Sequence, residues 1–292
     1  MTPKFNQLIS LNLGLLCIST SGVFGRTLTL APEVAIFWRC FFAVIILGLF
    51  LKLRGREFQI RTEDRRMIFL GGLLMGIHWV TYFYSLSLAY VAIAILTLHT
   101  FPAMTAILEP LILKTKLRAY HLFLAALIII GIYIITPSLD FHDNLVLAIF
   151  FGLLSALTYA LRNIITRKVV KNYDGSNMMF MQLVVMSILT LPFLFIKSSA
   201  PLVEHGDWTL IMALALITTC IGHTLLVQNL KHYSAVSIGL MSSIIPVYGI
   251  MWPFIFLNEI PSRNVLIGGA VILTSFFVEA IVSNKEKEIK SE

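Results

Sequence analysis

Ala92-Ile93-Ala94-Ile95-Leu96-Thr97 begins an apolar segment that runs through Pro102 to Leu111-Ile112-Leu113. A helix needs about 20 apolar residues to cross a bilayer, and this segment supplies them. The same order returns 144 residues later as Val236-Ser237-Ile238-Gly239-Leu240-Met241, Pro246 and Ile255-Phe256-Leu257. Earlier in each half the offset is 138, which lays Leu13-Gly14-Leu15-Leu16 on Phe151-Gly152-Leu153-Leu154. The six-residue change falls in the loops before residues 33 and 177. Long-period self-similarity of this kind indicates an internal repeat.

Working outward, ten spans are expected: 6–25, 33–53, 67–88, 92–114, 119–137, 144–166, 177–197, 208–230, 235–257 and 264–283. The expected fold is an all-α membrane protein of ten transmembrane helices, arranged as two inverted five-helix repeats. Residues 1–137 form the first repeat, 138–283 the second, and 284–292 a charged cytoplasmic tail. An odd number of spans per half makes the second copy enter the membrane with the opposite orientation. That architecture belongs to secondary transporters, whose substrate site lies near the midplane between the halves. Runs such as Leu127-Ile128-Ile129-Ile130 are apolar on every face, which excludes the alternating strands of a β-barrel.

Composition agrees. Hydrophobic residues make up 58% of the chain, charged residues 13%, and the mean hydropathy is +0.88. Soluble domains carry about 25% charged residues, so this chain lacks the charge to cover a water-facing surface. The net charge of +7 lies in short clusters between apolar spans, where headgroups and the insertion machinery act on it, so no nucleic-acid partner is expected. Cys17, Cys40 and Cys220 fall inside spans without metal-ligand spacing and read as small core residues. The first span follows Lys4 and precedes Ser19-Thr20-Ser21-Gly22, a pattern shared with signal peptides. Its counterpart at 144–166 favours a retained helix. With a cytoplasmic amino terminus, 18 Lys and Arg, Arg162 among them, fall on the inside segments and three on the outside. The positive-inside rule then puts both termini in the cytoplasm of a multi-pass, cell inner-membrane protein.

Particular residues carry a family resemblance. Ser242-Ser243-Ile244-Ile245-Pro246 is followed by Asn258-Glu259-Ile260-Pro261-Ser262 and by Leu266-Ile267-Gly268-Gly269-Ala270-Val271-Ile272-Leu273. This resembles the EamA-like, ten-helix branch of the drug/metabolite transporter superfamily: a proline in the ninth helix, a glutamate past its end and a glycine-led last helix. Phe37-Trp38-Arg39 with Ala43 is similar to the family's arginine-bearing second helix, and Pro102 holds the matching proline position. The first half departs downstream, where Thr115 stands in the place of Glu259. Glu109, seven residues past Pro102, does not inherit the glutamate's role by position. The resemblance covers about residues 8–282 and implies transport, often export, of amino acids or other metabolites.

Polar residues buried in lipid tend to face a partner or a wet cavity. Arg39 lies about 9 Å below the end of its helix; it is expected to snorkel outward or bond backbone carbonyls, or to contact an anionic substrate. His78, Thr81, Tyr82 and Ser85 share one face of the third span, bordered by Trp79. His99, Pro102, Ala106 and Glu109 share a face of the fourth. His78 and His99 differ in depth by roughly 5 Å and can face one cavity. His223 aligns with Trp79 through the repeat, and Tyr159 sits in the sixth span. Aromatic and histidine side chains suit a pocket for an organic solute. The expected substrate-binding set is therefore His78, Trp79, Tyr82, His99, Tyr159, His223 and Arg39. Pro102 and Pro246 free backbone carbonyls and mark gates or packing kinks. Glu279 lies near the cytoplasmic end of the last helix.

A zinc site from His78, His99 and Glu109 is disfavoured, since Glu109 lies about 15 Å from His99 along the helix. No cofactor, metal set or catalytic residue is expected: the chain has no G-x-x-x-x-G-K-[ST], H-E-x-x-H or G-x-S-x-G stretch. The reading is a secondary transporter exporting small organic metabolites by alternating access, with Glu109 or His99 carrying a coupling proton. The rival classes are a membrane-embedded enzyme and a facilitative, channel-like permease. The expected partners are a small-molecule solute and membrane lipid, with the protein a monomer or homodimer.

Overall fold

A computed structural model describes residues 3–55, 60–114, 119–135, 142–196, 205–274 and 278. The expected junction at 137/138, Glu279 and the tail 284–292 lie outside the described residues. Eight helices are long and apolar enough to cross a membrane: α1 (Asn6–Thr27), α2 (Pro32–Leu53), α3 (Thr62–Leu88), α4 (Val91–Ile112), α6 (Asn144–Asn172), α7 (Gly175–Phe195), α8 (Asp207–Asn229) and α9 (Ala235–Leu257). Two shorter apolar helices, α5 (Phe123–Ile135) and α10 (Arg263–Thr274), complete ten. Each matches one expected span, and no strand occurs among the described residues.

The helices are sided for lipid. On α2 the large side chains of Phe41, Ile45 and Leu49 are exposed while Ile36, Cys40, Ala43 and Leu47 are buried. An exposed apolar stripe at i, i+4, i+8 is the reverse of a soluble helix, whose outer face is polar. The chain is a multi-pass membrane protein.

Packing follows the repeat. α3 lies against α6, and their counterparts α8 and α1 lie against each other. At the second crossing a Cβ on Gly14 would meet Gly222 O at 3.1 Å, and one on Gly222 would meet Gly14 O at 3.1 Å. Small residues let helices approach this closely where lipid offers no hydrophobic drive. α4 and α9 run antiparallel: Val91–Leu98 packs on Ile245–Leu257, and Phe101–Leu113 packs on Ala235–Met241. Both helices are broken at equivalent points. α4 is interrupted at His99-Thr100, and 144 residues on, α9 passes through a 3-10 turn at Ser242–Ile244. Pro102 and Pro246 each stand in the first turn of the second piece, where a missing N–H costs no helical bond. Past the ends of these helices, Lys114 (φ 56°) and Asn258 (φ 55°) are the two non-glycine residues at positive φ among those described. They too are 144 positions apart.

The ends of α4 and α9 interlock. Glu259 Oε2 accepts from Val91 N at 2.9 Å and so caps the start of α4. Its Oε1 lies 3.4 Å from Arg26 Nε, and Arg26 Nη1 donates to Leu86 O and Ser87 O. At the opposite end Glu109 Oε2 accepts from Val236 N at 3.4 Å, near the start of α9. Glu109 thus occupies the counterpart of the Glu259 cap, contrary to the expectation from its spacing. α4 is long enough for its last turns to reach α9 without the loop.

Candidate functional site: a small cavity between the halves

Where α1, α3, α4, α6, α8 and α9 converge, a cavity of about 30 Å³ lies among largely buried side chains, room for about one water. His78, Trp79, Tyr82, His99, Tyr159 and His223 all line it, as the sequence stripes predict. Three pairs of repeat-equivalent residues meet there: Trp79 with His223, Ser21 with Tyr159, and Phe101 with Ile245. The cavity therefore lies on the axis that relates the two halves. A wider cleft of about 490 Å³, lined by Arg26, Tyr90, Asn144 and Ser262 among others, opens at the end where Glu259 caps α4.

Ring contacts build the wall. Tyr159 stacks on His78 with centroids 4.3 Å apart, and Phe101 meets Tyr159 edge-on at 4.8 Å. Trp79 and His223 lie 5.2 Å apart. His78 Nδ1 is 2.7 Å from Ser155 Oγ and 3.2 Å from Ser155 O. The carbonyl only accepts, and Ser155 Oγ already donates to His78 O at 2.9 Å, so Nδ1 carries the proton of the neutral ring. His99 Nδ1 likewise donates to Ile95 O at 2.8 Å. Its Nε2 and His223 Nδ1 are buried with no hydrogen-bond partner.

Arg39 is 0% exposed and takes neither structural route expected of it. It does not snorkel, and its acceptors are hydroxyls rather than backbone carbonyls: Nε donates to Thr219 Oγ1 and Nη2 to Thr218 Oγ1, each at 2.8 Å. The guanidinium carbon lies 3.6 Å from the centroid of Trp79, a cation–π contact, and Nη1 has no hydrogen-bond partner. The acceptors come from a π-helical stretch of α8, Leu214–His223. Its wider turn lets the adjacent Thr218 and Thr219 both donate to Leu214 O, at 2.6 and 2.9 Å, while presenting both oxygens to Arg39.

Arg162 corrects the charge count. Assigned to a cytoplasmic segment, it is 0% exposed inside α6, which lowers the inside total by one. Gln182 Oε1 accepts from its Nε at 3.1 Å and its Nη2 at 2.6 Å, and Asn163 Oδ1 accepts from Nη1 at 3.0 Å. The signal was present, since Arg162-Asn163 interrupts an apolar run and Gln182 interrupts the next span. Arg39, expected in the binding set, stands behind Trp79 and does not itself line the cavity, and neither do Glu109, Pro102 and Pro246. The prolines flank it through the helix breaks, and Glu109 sits at the α9 start.

Ten helices in two inverted halves, meeting around a small, mostly apolar cavity walled by aromatic and histidine rings, define a polytopic membrane protein of transporter type. The chain belongs to the EamA-like transporter family, whose sequence profile matches residues 7–136 and again 146–279. It is similar to the Pseudopaline exporter CntI of Pseudomonas aeruginosa, at 22% identity over 247 residues and 85% of each chain. It is also similar to the S-adenosylmethionine uptake transporter of Rickettsia conorii, at 27% identity over 258 residues, 84% of this chain and 82% of that one. A solved crystal structure aligns over 96% of this chain and 98% of its own at a TM-score of 0.71 and 15% identity, which establishes the shared fold.

Proposed function

We propose that the protein is a secondary transporter that exports small organic solutes, amino acids or related metabolites, from the cytoplasm by alternating access. The observation that carries this reading is the small cavity on the repeat axis, where the two halves contribute equivalent positions to one aromatic and histidine-rich wall. A site placed there can be exposed to one side and then the other by rocking the halves, with helix breaks at His99-Thr100 and Ser242–Ile244 as hinges. Both termini are cytoplasmic in this reading, and the cleft beside Arg26 is the outer exit. His99 carries the coupling proton, because its Nε2 is an unpartnered acceptor in the cavity wall. Glu109 acts at the α9 start, as the counterpart of the Glu259 cap at the other end.

Proteoliposomes preloaded with single amino acids and assayed for counterflow test the reading. A carrier gives saturable counterflow above protein-free vesicles. Absence of flux across the panel, or flux without counterflow, overturns it. His99→Gln is expected to keep counterflow and lose accumulation driven by a pH gradient; full retention of that response removes His99 from the coupling step.

A further inference from the structure

Arg39 and Arg162 are two fully buried guanidiniums whose partners are all neutral: threonine hydroxyls, the Trp79 face, and the Gln182 and Asn163 amides. The ion pairs among the described residues, Arg26–Glu259 and Arg61–Glu63, lie elsewhere and involve neither. Glu33, the acid nearest Arg39 in sequence, is about 9 Å up the helix axis and accepts from the Tyr84 hydroxyl. Buried cations are ordinarily paired with anions, because desolvation is otherwise uncompensated. Here both cations adjoin residues of the cavity wall. Trp79 lines the cavity and stacks on Arg39, and Tyr159 lines it three residues before Arg162 on the same helix. The ionisable side chains of the wall are histidines and tyrosines, with no carboxylate among the described residues. Arg39 Nη1 and His223 Nδ1 are both buried and unpartnered.

We propose that the transported solute carries a compact anionic group, a carboxylate or similar oxyanion, that completes the free edge of Arg39 and takes the ring N–H of His223. Arg162 adds its field from the other half, and the cavity rejects organic cations. A guanidinium edge and an imidazole N–H together offer the charge-assisted donors that an oxyanion needs. The inference rests on the reading of this cavity as the transport site.

Charge-selective labelling tests both layers separately. Ser21, a small residue of the cavity wall, is changed to cysteine in a chain carrying Cys17→Ala, Cys40→Ala and Cys220→Ala. Membrane vesicles are treated with methanethiosulfonate reagents of similar size, one bearing a sulfonate and one a trimethylammonium. The ratio of anionic to cationic labelling rates is compared with that of Tyr90→Cys at the exposed helix start. The ratio for Ser21→Cys is expected to be about a hundredfold higher, since one unit charge roughly 10 Å away at an effective dielectric of ~20 changes each rate about tenfold, upward for the sulfonate and downward for the trimethylammonium. Arg39→Lys retains that ratio, whereas Arg39→Gln and, independently, Arg162→Gln lower it. A ratio no higher than the reference overturns the anionic assignment and leaves the carrier reading intact. Failure of both reagents to label Ser21→Cys means that the cavity never opens to water; the carrier reading then falls, and the inference with it.

Discussion

Glu259→Ala removes two interactions from one end of the bundle. The Val91 N–H loses an acceptor at 2.9 Å, on a residue that is 0% exposed. Loss of a helix-start acceptor costs about 1 kcal/mol, and more when the donor stays dry. The Arg26 pair adds little, since that side chain is 34% exposed and the separation is 3.4 Å; exposed pairs contribute roughly 0.2–1 kcal/mol. The expected loss is about 2 kcal/mol. Glu259→Gln keeps an oxygen for Val91 and loses only the ionic part, about 0.5 kcal/mol. Glu109→Ala breaks a longer contact of 3.4 Å to Val236 and is expected to cost under about 1 kcal/mol. Unfolding in detergent micelles, followed by tryptophan fluorescence against temperature or denaturant, ranks the three. The order of destabilisation is Glu259→Ala first, then the two milder changes. Equal destabilisation by Glu259→Gln and Glu259→Ala would show that charge, rather than the cap, holds this end. A larger loss for Glu109→Ala would refute the assignment of the tighter lock to the Glu259 end.

Lys114 adopts φ 56°, a conformation costing an L side chain roughly 1–2 kcal/mol, so Lys114→Gly is expected to raise the unfolding midpoint in the same assay. A Cβ at Gly152 would collide with Thr97 Oγ1 and lie 2.8 Å from Thr97 Cβ; Gly152→Ala is expected to destabilise by about 1–3 kcal/mol and lower the yield of folded protein, with Gly152→Ala/Thr97→Ala recovering part of it. A reporter active only in the periplasm is expected to be silent after Glu292 and active after Ser138; activity at Glu292 refutes the charge-based topology.

Much of this molecule is legible because bilayer thickness sets a length scale that soluble folds lack. The ten spans follow from apolar runs, and the 144-residue offset anticipates the matched breaks at His99-Thr100 and Ser242–Ile244. The polar stripes on the third and fourth spans place His78, Tyr82 and His99 on a common cavity, because lipid leaves such side chains nowhere else to go. Arg162 escapes this logic. α6 continues to Asn172, beyond the apolar run, and charge counting does not distinguish a loop from helix buried against protein. The hydroxyl seat of Arg39 was equally hidden, since the π-helical register of Leu214–His223 depends on what α8 packs against. The Glu109 contact at α9 is likewise tertiary, and spacing along one chain could not disclose it.

The meeting of Trp79 with His223 bears on how a duplicated protein acquires direction. Two identical halves would bring two tryptophans or two histidines to the axis, and a cargo would find the same hand on either side. Here the counterpart of Arg39 is Leu183 and that of Arg162 is Phe24 under the two offsets. Divergence after duplication has left a lopsided grip inside a balanced frame. Half-saturation on the two faces of the membrane should therefore differ even while the final gradient remains set by the driving force alone. On the proposed alternating-access reading, such a carrier would act as a kinetic rectifier: its ancestry would supply the hinge, and its unequal halves would set the side on which cargo is readily taken up.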